Sequence, residues 1–119
     1  MKKIKPASSL LAMALASLLV GCVGPATPPL YYWGSYETQV YNHFKGMSPT
    51  EQITALEQDL QKARAQNARV APGMQAHLGL LYAETGNSDQ ALAYLLAEKT
   101  QYPESAAYID LLLKKYAKK

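Results

Sequence analysis

The sequence predicts an all-α protein, a short antiparallel array of helices in which one helical hairpin is flanked by capping helices. Three observations predict it. Ile53, Leu56, Leu60 and Ala63 recur at spacings of three and four, which draws an apolar stripe along one side of a helix. Gly86 parts two further apolar-rich segments, with Pro72 ahead of the first and Pro103 behind the second, so the pair reads as two helices and a turn. Ala106, Ile109, Leu112, Leu113 and Tyr116 then fall along one side of a last helical segment.

The chain has 119 residues, room for one small domain. Its formal net charge is +3, and Lys2, Lys3 and Lys5 supply that excess, so the remainder is balanced. A neutral body argues against nucleic acid, whose binding needs a concentrated basic face to displace counterions. Cys22 is the single cysteine and cannot form an internal disulfide, which leaves a core residue, a reactive thiol or a modification site.

Lys2, Lys3 and Lys5 precede the uncharged run Leu10 to Val20, "LLAMALASLLV", and small Gly21 follows. That is the layout of a secretory signal. As a helix, Ala7 to Gly21 would reach about 22 Å at roughly 1.5 Å per residue, short of a hydrocarbon core near 30 Å, so a spanning anchor is the weaker reading.

Leu19-Val20-Gly21-Cys22 resembles a bacterial lipobox. The resemblance implies diacylglyceryl transfer to the Cys22 sulfur, cleavage before Cys22, and a palmitate-like fatty acyl group on the freed amine. A thiolate suits that transfer because it is strongly nucleophilic. The competing reading is an ordinary secretory signal with a chance cysteine. Each buried methylene contributes about 0.8 kcal/mol, so two or three chains would hold the protein to a membrane essentially permanently. Val23 stands where aspartate would be the familiar inner-membrane retention signal, which points to the periplasmic face of the outer membrane. The expected organisation is a signal peptide over 1–21, a lipidated cysteine and Pro-rich tether over 22–30, and a helical domain over 31–119.

The tether "VGPATPPL" carries Pro25, Pro28 and Pro29 and no charge. Proline fixes φ and removes an amide donor, so the segment should be extended. Next comes "YYWGSYETQVYNHFKG", where Tyr36, Val40, Tyr41 and Phe44 share one helical face. Tyr31, Tyr32, Trp33 and Tyr36 are candidates for a partner-binding or membrane-surface patch, against the plainer role of packing over the end of the domain.

Ser48, Pro49 and Glu51 stand as a capping box should, and a helix is predicted over 49–68, ended by Pro72-Gly73. Its other face, with Gln52, Gln58, Asp59, Lys62 and Arg64, reads as a solvated surface.

In "HLGLLYAETGNSDQALAYLLAEKTQYP", Leu78-Gly79, Tyr82, Gly86, Ala91, Leu95 and Pro103 fall at fixed spacings. Small Gly79 and Ala91 let two antiparallel helices approach closely, Tyr82 and Leu95 fill the space beside them, and Gly86 permits the turn. The pattern resembles one tetratricopeptide repeat framed by Pro72 and Ser105. Glu98 departs from it, since a small residue is expected there, and this puts close packing of a third helix at that point in doubt. Shifting the frame back thirty-four residues gives no second copy. One repeat cannot bury both its faces, so the flanking helices must cap it. The resemblance implies binding through a groove lined by the first helix, at Gly73, Ala76, Leu80, Ala83 and Glu84, unless the helix near Leu56 and Leu60 covers them.

The final helix ends among Lys114, Lys115, Lys118 and Lys119, which complement exposed carbonyls or meet anionic lipid or wall polymer. A broader resemblance covers nearly the whole mature chain. The lipobox, "YYWGSYE", "APGMQAHLGLLY" and "EKTQYPES" are together similar to an uncharacterised family of small proteobacterial outer-membrane lipoproteins, often encoded beside a lipoprotein like the curli secretion channel. That resemblance implies an outer-membrane assembly and assigns no activity.

Chemistry-bearing motifs are sparse. His43 and His77 lie in different segments without metal-ligand spacing, and neither a phosphate-binding glycine loop nor a glycine-bracketed serine is present. His77 reads as a surface or hairpin-groove residue. No catalytic residue, metal, cofactor or small-molecule substrate is expected. The expected function is a lipid-anchored periplasmic adapter that binds another protein in an outer-membrane or secretion-related complex. The alternatives are a structural lipoprotein touching wall or membrane, and an unrecognised periplasmic enzyme.

Overall fold

The computed structural model describes residues 24–116. The signal segment, Cys22, Lys118 and Lys119 lie outside the described residues. Five α-helices follow one another: α1 Tyr36–Phe44, α2 Pro49–Ala65, α3 Met74–Glu84, α4 Ser88–Gln101 and α5 Ala106–Tyr116, with a 3₁₀ turn at Pro103–Ser105 before α5. The described chain is all-α; its one β-like feature is an isolated parallel bridge between Tyr32 and Val70. Among the described residues no helix is long and apolar enough to cross a membrane.

Each helix packs on its successor, most extensively α3 on α4. Two apolar layers result. Ile53, Leu56, Leu60 and Ala63 of α2 meet Met74, Leu78 and Leu81 of α3. On the other side of α3, Ala76 meets Leu95 of α4 and Ile109 and Leu112 of α5. Helix α3 is thus covered on both sides, which is why its sequence "MQAHLGLLYAE" is apolar nearly all round.

The hairpin closes where small residues allow it. A Cβ added at Gly79 would lie 2.9 Å from Leu95 Cγ and 3.1 Å from the Ala91 carbonyl oxygen, so glycine alone fits that crossing. Gly86 turns the chain at φ +80°.

The aromatic block enters as a short extended strap. Tyr32 N–H donates to the Arg69 carbonyl at 2.7 Å, and Ala71 N–H donates to the Tyr32 carbonyl at 3.0 Å. Tyr31 meets Tyr102 edge-on at 6.0 Å, with the Arg69 guanidinium over both rings. The Tyr102 hydroxyl donates to the Val70 carbonyl, locking the α2–α3 connection beneath α4.

Several expectations require correction. Helix α2 ends at Ala65, short of residue 68, because Asn67 takes a left-handed φ of 51° and turns the chain well before Pro72. Ser48 makes no side-chain cap, so the capping box does not form; Gln52 Nε2 instead donates to the Met47 carbonyl at 3.0 Å. Gln52 and Asp59 are buried, so the polar side of α2 is not a solvated surface throughout. Helix α1 turns Gln39 inward and leaves Tyr41 and Phe44 exposed, because Gln39 Nε2 bonds Ser35 Oγ, itself held by Asp59.

Candidate functional site

Buried polar contacts fix where the helices start. Ser35 N–H and Ser35 Oγ both donate to Asp59 Oδ2, at 2.7 and 2.6 Å, so a carboxylate from α2 holds the start of α1. Glu98 of α4 does the same for α3. Its carboxylate accepts Gly73 N–H at 2.7 Å and Ala76 N–H at 3.3 Å. Gly73 has no side chain with which to cap, so the neighbouring helix supplies one. Only 2% exposed, Glu98 sits inside the packing that its charge put in doubt. Burial pushes its carboxyl above the ordinary value, and the backbone N–H bonds oppose that rise without cancelling it.

The two histidines, far apart in sequence, meet in the fold with ring centroids 5.3 Å apart. His77, read as a surface or hairpin-groove residue, is not on the surface but buried between Tyr36, His43 and Gln52, with Nε2 3.4 Å from Gln52 Oε1. Burial first, then the His43 charge, lower its pKa from 6.5 to about 4, so it is neutral at ordinary pH. His43 Nε2 lies 3.6 Å from Glu84. Among the described residues no group of three or more His, Cys, Asp or Glu is placed to hold a metal ion. A third polar cluster joins Tyr82 and Tyr94, stacked at 5.6 Å, both donating to Glu57 Oε1. Burial, then the Glu57 contact, raises both phenols.

The residues singled out for partner binding fall into three groups. Tyr31, Tyr32 and Tyr36 are partly buried against the α2–α3 layer, where they pack over the end of the domain. Trp33 stacks on Tyr36 at 6.3 Å and stays exposed. Within the groove set, Ala76 is buried and Leu80 packs against the layer beneath α5, so the first-helix groove is filled by the chain's own last helix. It is α5, not the helix bearing Leu56 and Leu60, that covers these positions.

What stays open lies at the turn end of the hairpin. A cavity of about 610 Å³ is lined by Ala83, Glu84, Gly86, Ser88, Ala91, Leu92, Leu95, Leu113 and Tyr116. Ala83 and Glu84 belong to the expected groove. Leu92, 47% exposed, does not, although the sequence carries its signal. The pairs Ala91-Leu92 and Leu95-Leu96 each put one apolar side chain into the hairpin and leave the next facing outward on α4. A smaller cavity of about 300 Å³ lies between Gly73, Glu98, Tyr102, Tyr108 and Ile109.

Fold and cleft together define a small all-α helical-array protein with an open, largely apolar cleft at the hairpin turn. The chain belongs to the family described as "Domain of unknown function (DUF4810)", whose model matches residues 30–112. No curated protein and no solved structure matches the chain.

Proposed function

We propose that this protein is a lipid-anchored adapter on the periplasmic face of the outer membrane, which binds another protein of an envelope or secretion-related complex. The open cavity of about 610 Å³ between the hairpin turn and α5 carries the binding half of this reading. Leu92, Leu113 and Tyr116 on its walls suit an apolar side chain or helix edge from a partner. The anchoring half rests on the Leu19-to-Cys22 motif. It is supported by residues 24–29, which form neither helix nor strand and are exposed throughout, as a tether requires. The hairpin is read as tetratricopeptide-like from its spacing and its close crossing at Gly79.

The test is to purify the natural chain from detergent-solubilised envelopes, wash it at high salt and identify what accompanies it. Leu92→Glu should remove the partner and leave the protein in the envelope fraction, whereas Cys22→Ser should release the protein from that fraction. Leu92 is the better probe than Tyr31, Tyr32 or Leu80, because those side chains support the fold. A partner that persists on Leu92→Glu overturns the cleft as binding site.

The structural alternative has one observation in its favour, the exposed Lys114 and Lys115 at the end of α5. It predicts binding to anionic polymer that modest salt abolishes.

A further inference from the structure

Large apolar side chains left in water are concentrated at the start of the body. Among the described residues, Leu30, Trp33, Tyr41, Phe44 and Met47 are five of the nine exposed large hydrophobics. On α1, Tyr41 and Phe44 are three residues apart on the outward side, 59% and 83% exposed, and Lys45 Nζ stands 5.3 Å from the Tyr41 ring centroid. No helix precedes α1 among the described residues to cover this side, and the terminal member of a helical array ordinarily turns a polar face outward.

We infer that the outer side of α1, at Tyr41, Phe44 and Lys45 with Met47 beyond it, rests on the lipid surface, so that the body lies against the bilayer. This inference rests on the anchor at Cys22 proposed above. From Cys22 to Tyr31 the chain, at about 3.1 Å per residue when extended, reaches about 28 Å. Tyr32 is pinned to the body by its bonds with Arg69 and Ala71, and α1 begins four residues later and runs nine residues, about 13 Å. The tether therefore holds this side within reach of the membrane. At such range even a weak contact is populated, because the anchor makes docking intramolecular. Tyr, Phe and Met beside a lysine suit the headgroup boundary, where rings enter the acyl region and the ammonium stays hydrated.

The experiment places a single tryptophan on that face. Phe44→Trp and, as control, Ala93→Trp on the exposed side of α4 are each made with Trp33→Phe, or Trp33→Tyr if the first loosens the fold. The proteins are isolated from envelopes, checked for native helical circular dichroism and reconstituted in phosphatidylcholine vesicles with brominated acyl chains. Emission at position 44 should be quenched several-fold more than at position 93 and shifted to the blue. Equal or negligible quenching at both positions overturns the inference. So does a blue shift at 44 that comes without quenching by the brominated chains and grows with protein concentration, which would make this face a contact between copies. Mass analysis of the same samples keeps the two readings apart. Acyl mass on Cys22 with no quenching sinks the docking alone, and an unmodified thiol with no quenching sinks both.

Discussion

Glu98 on α4 accepts the N–H of Gly73 at 2.7 Å, so the second helix of the hairpin supplies the cap that the first cannot make for itself. Alanine at 98 would leave the Gly73 and Ala76 N–H groups without their acceptor and open a gap beside Tyr102. Hydrogen bonds to charged groups contribute about 1.5–3 kcal/mol, so Glu98→Ala should destabilise by about 3 kcal/mol in urea unfolding. Glu98→Gln keeps one acceptor for Gly73 but turns its amide N–H₂ toward Ala76 N–H, and should cost about half as much.

The same carboxyl sets a pH dependence. Its folded pKa lies above the ordinary glutamate value of 4.5, raised chiefly by burial, so the folded chain holds the proton more tightly than the unfolded one. That contribution is fully present below the unfolded value and is lost as pH rises through the folded value. The stability of the natural chain relative to Glu98→Gln should therefore fall as pH is raised from below 4.5 toward neutrality. A difference that grew with pH would show the backbone N–H bonds outweighing burial.

His77 acts in the opposite direction. Its pKa drops from 6.5 to about 4 on folding, so its contribution is present above 6.5 and lost as pH falls toward 4. That drop corresponds to on the order of 3 kcal/mol. His77→Gln should flatten the loss of stability over this window, followed by thermal unfolding at a series of pH values. His43→Gln, which removes the neighbouring charge, should raise the His77 titration midpoint as followed by imidazole proton resonances.

Gly34 and Asp59 should be coupled. Gly34 has φ +49°, and a Cβ there would come within 2.6 Å of both Asp59 carboxylate oxygens. Gly34→Ala should cost about 2–3 kcal/mol, combining steric conflict with left-handed strain. In an Asp59→Ala background the conflict is gone, and the same change should cost only about 1 kcal/mol. A double-mutant cycle from urea unfolding reads the difference as the interaction energy.

These contacts also mark how far the sequence was legible. Leu56, Ala63, Leu95 and Ile109 announce their helices because a side buried against one apolar neighbour leaves a regular period. Asp59, Gln52 and Glu98 leave none: each is buried by a partner on another helix or loop, and that pairing exists only once the chain has folded. The turn of α1 that exposes Phe44 follows from the same cause, since the Ser35 contact with Asp59 overrides an apolar pattern of four residues. The cleft was half legible. Glu84 came from the hairpin spacing, but Leu92 became visible only when α5 was seen to cover Leu80 and stop short of the hairpin turn.

Gly79 and Gly86 should separate two costs that glycine avoids. In an exposed helix interior, Gly→Ala stabilises by about 1 kcal/mol through propensity. At Gly79 the added Cβ meets Leu95 Cγ at 2.9 Å and the Ala91 carbonyl at 3.1 Å, and the carbonyl belongs to a helix that cannot yield without opening the hairpin. Overpacking costs about 1–3 kcal/mol, so the conflict wins and Gly79→Ala should be destabilising on balance. At Gly86 no atom lies within 4 Å of the added carbon, yet φ is +80°. Gly86→Ala should cost about 1 kcal/mol from backbone strain alone, and Gly86→Asn should recover part of it, because asparagine tolerates the left-handed region. Substituting Leu95→Ala beneath Gly79→Ala distinguishes the mechanisms. It should relieve part of the Gly79→Ala penalty by vacating the colliding side chain, and should leave the Gly86→Ala penalty unchanged, as measured by the urea midpoints of the single and double variants.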